Sequence, residues 1–332
     1  MTTTTTTDLY SDDPQWVDVT PIPQYDGINP VAPILYTDEY KDATDYFRGV
    51  LKSGEKSERV LELTERVIRM NPAHYTAWQY RYQTILALGT PLDEEITLMN
   101  DIAMDHLKTY QVWHHRRLIL TQTKQAAQEL AFLVKVLGLD NKNYHTWAYR
   151  QWILSHFSDD DLWRHELEFV DSMLRDDIRN NSAWHHRFFV LFEAGVRAGD
   201  EDREALARQE ILYSKERISL APNNASAWNY LRGVLDRSGT EYSSLAGFVE
   251  PYAGLPGPTA SDADTIDTEN PAPQPGARLP SVAALEFMAD VYEKQGGERL
   301  ADARKLWTSL AREHDTIRQK YWEYRSTAAG KL

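Results

Sequence analysis

Basic side chains and tryptophan recur together along this chain, so that pairing is the first place to look for chemistry. Arg follows Trp by three residues at Trp78/Arg81, Trp113/Arg116, Trp147/Arg150, Trp184/Arg187 and Trp322/Arg325. A sixth copy slips by one, with Arg232 four residues after Trp228. Residues three apart on a helix share a face. A row of such guanidinium groups could line a phosphate-binding groove. Alternatively, each indole fills space between layers, and its N–H and the Arg fork find acceptors, most simply turn carbonyls of the adjacent repeat. Because the pair recurs in every copy, most copies must be architectural; a ligand needs only one or two.

Two histidine pairs, His114-His115 and His185-His186, invite a metal reading. Adjacent residues on a helix point about 100° apart and cannot close on one ion. The i, i+4 arrangement H-E-x-x-H is absent, and so are a nucleophile elbow, a Walker A loop and a dinucleotide fingerprint. The histidines therefore read as packed against helix faces or facing a partner. There is no cysteine, which excludes disulfides, thiolate-ligated zinc, iron–sulfur clusters and a cysteine nucleophile within the chain. A formal charge of −14 works against a nucleic-acid partner, whose backbone is bound by neutralising phosphates with Lys and Arg. No apolar run reaches the ~18 residues of a membrane span. The start, MTTTTTTDLYSDD, lacks the basic and apolar regions of a signal peptide. The expectation is a soluble cytoplasmic protein.

The elements that must position these residues follow from the repeat. Six stretches align around Trp78, Trp113, Trp147, Trp184, Trp228 and Trp322, at separations of 35, 34, 37, 44 and 94 residues. The first three are close to the period of two-helix repeats, about 34 residues in tetratricopeptide arrays. Between them lie amphipathic stretches. Val60, Leu63, Val67 and Met70 form one stripe; Leu130, Leu133, Val134 and Leu137 form a second; Leu162, Leu167, Val170 and Leu174 form a third. Steps of three and four are the helical period. Each repeat thus reads as an outer helix, a short Asn/Asp/Pro turn and a Trp-bearing helix, which makes an all-α solenoid of helical hairpins. Residues 1–13 read as a disordered leader. Residues 14–36, with Pro14, Pro21, Pro23, Pro30 and Pro33, read as an extended lead-in. Residues 37–328 read as the helical-repeat domain, interrupted at about 239–280 by a Gly/Pro/Ser-rich stretch expected to be a disordered or surface loop.

The wording of these repeats is similar to one family. YQVWHHRR (110–117), DNKNYHTWAYRQW (140–152), RNNSAWHHRFFV (179–190) and APNNASAWNYLRG (221–233), preceded by WVDVTPIPQYDGINPVAPILY (16–36), resemble the α subunit shared by protein farnesyltransferase and geranylgeranyltransferase type I. The resemblance runs from about Trp16 to Gly233, with a weaker tail over 281–328. It implies a crescent-shaped, right-handed superhelix of hairpins wrapped around a helical-barrel β subunit that carries the zinc and the isoprenoid pocket, with magnesium accompanying the prenyl diphosphate. The implied reaction is attack by the thiolate of a C-terminal CaaX cysteine on C1 of a farnesyl or geranylgeranyl diphosphate.

The same resemblance implies that Lys142, in the turn before Trp147, stabilises the departing diphosphate. Tyr144 would line the active-site rim, and Asn180, from the next turn, would contact substrate. Lys108 occupies the equivalent place one repeat earlier, and the repeat alone does not choose between the two lysines. Two other readings stand beside this one: a non-catalytic tetratricopeptide-like scaffold, and the α subunit of the Rab geranylgeranyltransferase, which has the same repeat.

Overall fold

Paired helices account for most of the chain, and the way each pair is closed explains why the tryptophans recur. The computed structural model describes residues 9–24, 31–193, 200–256 and 267–330, and among these there is no β-strand. The chain divides into two compact units, residues 1–158 and 159–332.

The first unit opens with α1 (Asp38–Ser53) and continues as three hairpins: α2 (Glu58–Met70) with α3 (Tyr75–Leu88), α4 (Leu92–Asp105) with α5 (Tyr110–Thr123), and α6 (Ala126–Leu139) with α7 (Tyr144–Phe157). The starts of α1, α3 and α7 are capped by side chains that satisfy otherwise orphaned N–H groups. Thr37 accepts from Tyr40 N, His74 from Ala77 N and Asn143 from Thr146 N. Of the expected stripes, Val60, Leu63 and Val67 are buried on α2, and Leu130, Leu133 and Leu137 on α6. Met70 and Val134 are exposed instead; Ile68 and Val136 take up buried positions on the same helices.

The expected disordered leader is ordered where it is described. Residues 1–8 lie outside the described residues, but Tyr10 is buried, edge-on to Trp16 at 5.0 Å and packed near Tyr46. Its N–H donates to Asp42 Oδ2 at 2.6 Å. Asp18 is gripped by Arg59, and Ile22 exchanges bonds with Asp45 and Arg48. Gly49 permits this close approach, because a Cβ there would lie 2.5 Å from Thr20 O. Within 14–36, Pro14–Trp16 is a single 3-10 turn and residues 25–30 lie outside the described residues.

The second unit holds the helical turn α8 (Asp160–Trp163), α9 (Glu166–Asp176) with α10 (Asn181–Phe188), and α11 (Asp200–Leu220) with α12 (Ala225–Ser238). The short α13 (Ala246–Val249) then leads to α14 (Val282–Gln295), α15 (Arg299–Ser309) and α16 (Gln319–Ala328). On the third stripe Val170 and Leu174 are buried, while Leu162 and Leu167 are half-buried.

The loop expected over 239–280 needs correcting where it is described. Tyr242–Leu245, α13 and Glu250–Ala253 form consecutive helical turns that bury Tyr242, Leu245, Phe248, Val249 and Tyr252. Those residues keep a helical spacing that the surrounding Gly, Ser and Pro obscure. Residues 257–266 lie outside the described residues. Downstream, the chain is bonded along α11: Lys215 Nζ donates to Glu269 O and Asn270 Oδ1, Gln274 N to Ser219 O, and Asn223 Nδ2 to Arg278 O.

Candidate functional site

The Trp–Arg pair turns out to be architecture with acceptors different from those expected. In five of the six copies the indole N–H donates to a carbonyl of its own turn, six residues back: Trp78 to Pro72, Trp113 to Leu107, Trp147 to Asn141, Trp184 to Ile178 and Trp228 to Pro222, at 2.7–2.9 Å; Trp322 instead donates to Asp315 Oδ2 at 3.0 Å. Three of the guanidinium groups meet buried glutamates from the next outer helix, while Arg232 and Arg325 both reach Asp290 on α14. Arg81 forks onto Glu95, Arg116 onto Glu129 and Arg187 onto Glu210, each with two parallel N–H···O bonds. A buried carboxylate suits a delocalised planar fork better than a neutral carbonyl does, because charge and both donors are satisfied at once.

The residue two after Trp completes the clamp. His115 Nε2 lies 2.7 Å from Glu95 Oε1, His186 Nε2 lies 2.9 Å from Glu166 Oε2, and Tyr230 OH donates to Glu210 Oε2 at 2.6 Å. Burial pushes the Glu95 carboxyl up, but the bonds from His115 and Arg81 and the Arg81 charge outweigh it and hold the group at about 2. Burial depresses the His115 imidazole, which therefore acts as a neutral donor to an ionised Glu95. Among the described residues, no group of three or more His, Asp or Glu could hold a metal. Sequence reasoning missed these glutamates. For Glu95 and Glu129 the signal is a Glu in the first turn of the outer helix, as in Leu92-Asp93-Glu94-Glu95 and Gln128-Glu129-Leu130; Glu210 stands mid-way along α11 and carries no such mark.

With the Trp–Arg rows consumed by packing, the cations at the turns remain. Lys142 is exposed in the turn before α7, and Tyr144, the first residue of α7, is 69% exposed. One repeat earlier, Lys108 has a side chain 81% exposed, its Nζ 3.6 Å from Asp140 Oδ2; Tyr110, two residues on, is likewise exposed. His145 bridges the two turns, edge-on to Tyr110 with ring centres 4.2 Å apart and 5.5 Å from the Tyr144 ring. Burial lowers the His145 pKa, so the ring is neutral near pH 7. A concavity of about 250 Å³ between α5 and α7 is lined by Tyr110, Trp113, His114, Arg117, Tyr144 and His145 among others. A larger one, about 640 Å³, lies between α3 and α5 against Tyr75, Trp78, Tyr82, Tyr110 and His115.

The structure thus brings Lys142 and Tyr144 to one exposed edge together with Lys108, Tyr110 and His145. Such an edge offers two ammonium groups and phenolic hydroxyls to an anion. Asn180, the third residue singled out, is different: it lies in the second unit with no exposed surface, and its Oδ1 accepts from Ser182 N and Ala183 N at the start of α10. Its observed role is a helix cap.

Comparison with known proteins bears on this geometry. The sequence model described as "Protein prenyltransferase alpha subunit repeat" matches residues 57–88, 92–123, 126–157, 163–194 and 207–238, which are the hairpins closed by Trp78, Trp113, Trp147, Trp184 and Trp228. The protein farnesyltransferase/geranylgeranyltransferase type-1 subunit alpha of Dictyostelium discoideum is 41% identical over 253 residues, spanning 71% of this chain and 74% of the relative. The protein of the same name from Candida albicans is 32% identical over 317 residues, spanning 92% and 94%. Among solved structures, Candida albicans protein geranylgeranyltransferase-I complexed with GGPP aligns with a TM-score of 0.79 at 31% identity, covering 93% of this chain and 97% of that one.

Proposed function

The chain belongs to the protein farnesyltransferase/geranylgeranyltransferase type-1 α-subunit family, and from that premise we propose how its exposed lysine edge serves the reaction. The chain is the α subunit of a heterodimeric protein prenyltransferase, working with a β subunit and a prenyl diphosphate. The observation that carries this is the stack of Trp-closed hairpins matching the prenyltransferase repeat over five consecutive units, within a likeness extending along nearly the whole chain. It sets aside the tetratricopeptide-like scaffold, and the type-1 names of both relatives favour the CaaX enzymes over the Rab-directed one.

In the reaction, the thiolate of a CaaX cysteine forms a bond to C1 of the isoprenoid. The C1–O bond breaks, and diphosphate leaves with the electron pair. Charge develops on the departing oxygens, so a cation placed there lowers the barrier. The reading gives that task to Lys142, with Tyr144 beside it at the rim. A second reading gives it to Lys108, whose exposed ammonium borders the same Tyr110–His145–Tyr144 cluster. Asn180 enters as a cap that holds its turn. Zinc is assigned to the β subunit and magnesium to the diphosphate; the described residues of this chain offer neither a cluster for a metal nor a thiolate. Among the described residues no helix is long and apolar enough to cross a membrane, and the cytoplasm is the compartment that fits the reading.

The test is single-turnover transfer to a CaaX peptide by the heterodimer carrying Lys142→Ala, Lys108→Ala or both. A fall of about 10²–10³ in at least one single variant supports the lysine edge; wild-type turnover in the double variant rejects it.

A further inference from the structure

We infer that Asn143 and Asp140 are positioning residues that set the spacing of Lys108 and Lys142, an inference that rests on the lysine edge described above. Asn143 sits between Lys142 and Tyr144 yet is buried, 3% exposed. Its amide makes two kinds of contact at once. Oδ1 accepts from Thr146 N at 3.1 Å, which caps α7. Nδ2 donates across the repeat boundary to Leu107 O at 3.2 Å and within its own turn to Asp140 Oδ2 at 3.3 Å. Leu107 immediately precedes Lys108, and its carbonyl also receives the Trp113 indole at 2.8 Å. The other Asp140 contact completes the grip, with Oδ2 3.6 Å from Lys108 Nζ. The 140–143 turn therefore holds the 107–108 turn at two points, carbonyl and ammonium, and each lysine extends from one side of that clasp.

The second unit contains the same device with no lysine at either flanking position. Asn224 caps α12 by accepting from Ser226 N at 3.2 Å and donates to Ile178 O at 2.7 Å, the carbonyl that also receives the Trp184 indole. The residue before Asn224 is Asn223 and the residue after Ile178 is Arg179. Asn143 and Asn224 are thus matched latches, one joining two lysine-bearing turns and the other not. A purely structural role predicts equal consequences for both; positioning predicts that only the first touches turnover.

The experiment uses the α/β heterodimer. Asn143→Ser and Asn224→Ser each keep a capping oxygen while losing the cross-repeat donor. Both should lower Tm by similar amounts. Only Asn143→Ser should lower kcat, by about 10- to 100-fold, as expected when a reacting group is displaced by about 1 Å, with KM for the peptide within about twofold of wild type. Asp140→Asn removes a partly exposed ion pair of little stabilising worth, so Tm should hold while kcat falls. Equal kcat for Asn143→Ser and Asn224→Ser, or wild-type kcat in Asp140→Asn, overturns the inference. If the lysine double variant itself turns over normally, the underlying reading has failed instead; if it is impaired while Asn143→Ser is not, only the positioning role is lost.

Discussion

Arg81 and Glu95 meet across the boundary between two successive hairpins as a buried, two-point ion pair, Nη2 to Oε2 at 2.6 Å and Nε to Oε1 at 2.9 Å. Arg81 stands on α3 and Glu95 on α4, so the pair ties one Trp-bearing helix to the outer helix of the next repeat. Arg116–Glu129 repeats it one layer on. Breaking one partner strands the other charge in the core, whereas replacing both with apolar groups removes that penalty. Glu95→Leu should therefore lower stability by roughly 3–5 kcal/mol, and Arg81→Met/Glu95→Leu by clearly less. Urea unfolding of the single and double variants checks this; a double variant as unstable as the sum of the singles contradicts it.

Acid should loosen the same joint. Glu95 sits at about 2 in the fold, below its ordinary value of 4.5, and His115 is also depressed, chiefly by burial. A depressed pKa contributes stability that is present above the unfolded value and lost as pH falls. Loss should begin below about pH 6.5, as the unfolded histidine takes up protons, and steepen between 4.5 and 2 as Glu95 does. Over that lower range the single carboxylate accounts for on the order of 3 kcal/mol. Urea midpoints from pH 7 to pH 3.5 should fall monotonically, and Glu95→Gln should flatten the lower part of the curve.

The clamp of the fifth repeat offers a finer contrast. Tyr230 OH donates to the ionised Glu210 at 2.6 Å, whereas Tyr80 OH donates to the neutral Glu55 carbonyl at 2.8 Å. Bonds to charged groups contribute about 1.5–3 kcal/mol against about 1 for neutral ones. Tyr230→Phe should accordingly cost about twice what Tyr80→Phe does in the same melt, and equal costs would count against a charged Glu210.

Residues 242–253 are predicted to behave as core. Phe248 and Tyr252 are buried and packed within 4.9 Å of each other and about 6 Å from Trp228. Phe248→Ala should lower stability by about 3–5 kcal/mol, where a surface loop would tolerate it within about 0.5 kcal/mol.

The repeat was legible because Trp is large and distinctive and recurs with Arg at a nearly fixed step after it. Their partners were not, because glutamate is common on helices and only depth distinguishes Glu95 from its exposed neighbour Glu94. Composition misled twice. Gly, Ser and Pro around Tyr242, Leu245, Phe248 and Tyr252 hid a helical spacing. Met70 and Val134 fell on the predicted stripes but outside the contact arc, which is narrower than three-and-four spacing alone implies. At the site, Lys142 and Tyr144 could be placed in a turn and at a helix start, and both are exposed there. The cross-repeat bond from Asn143 to Leu107 O spans 36 residues, a separation that no local pattern encodes. Asn180 was singled out because its neighbours match the family wording; its burial at the start of α10 is a tertiary property that this wording does not encode.

The most direct test of the central claim is co-expression with a type-1 β subunit, followed by purification and a CaaX-peptide prenylation assay. A stable one-to-one complex that transfers farnesyl or geranylgeranyl to the peptide cysteine, with neither chain active alone, is the predicted result. A chain that stays monomeric beside the β subunit, or a complex that leaves the peptide unmodified while prenyl diphosphate is present in excess, would contradict it.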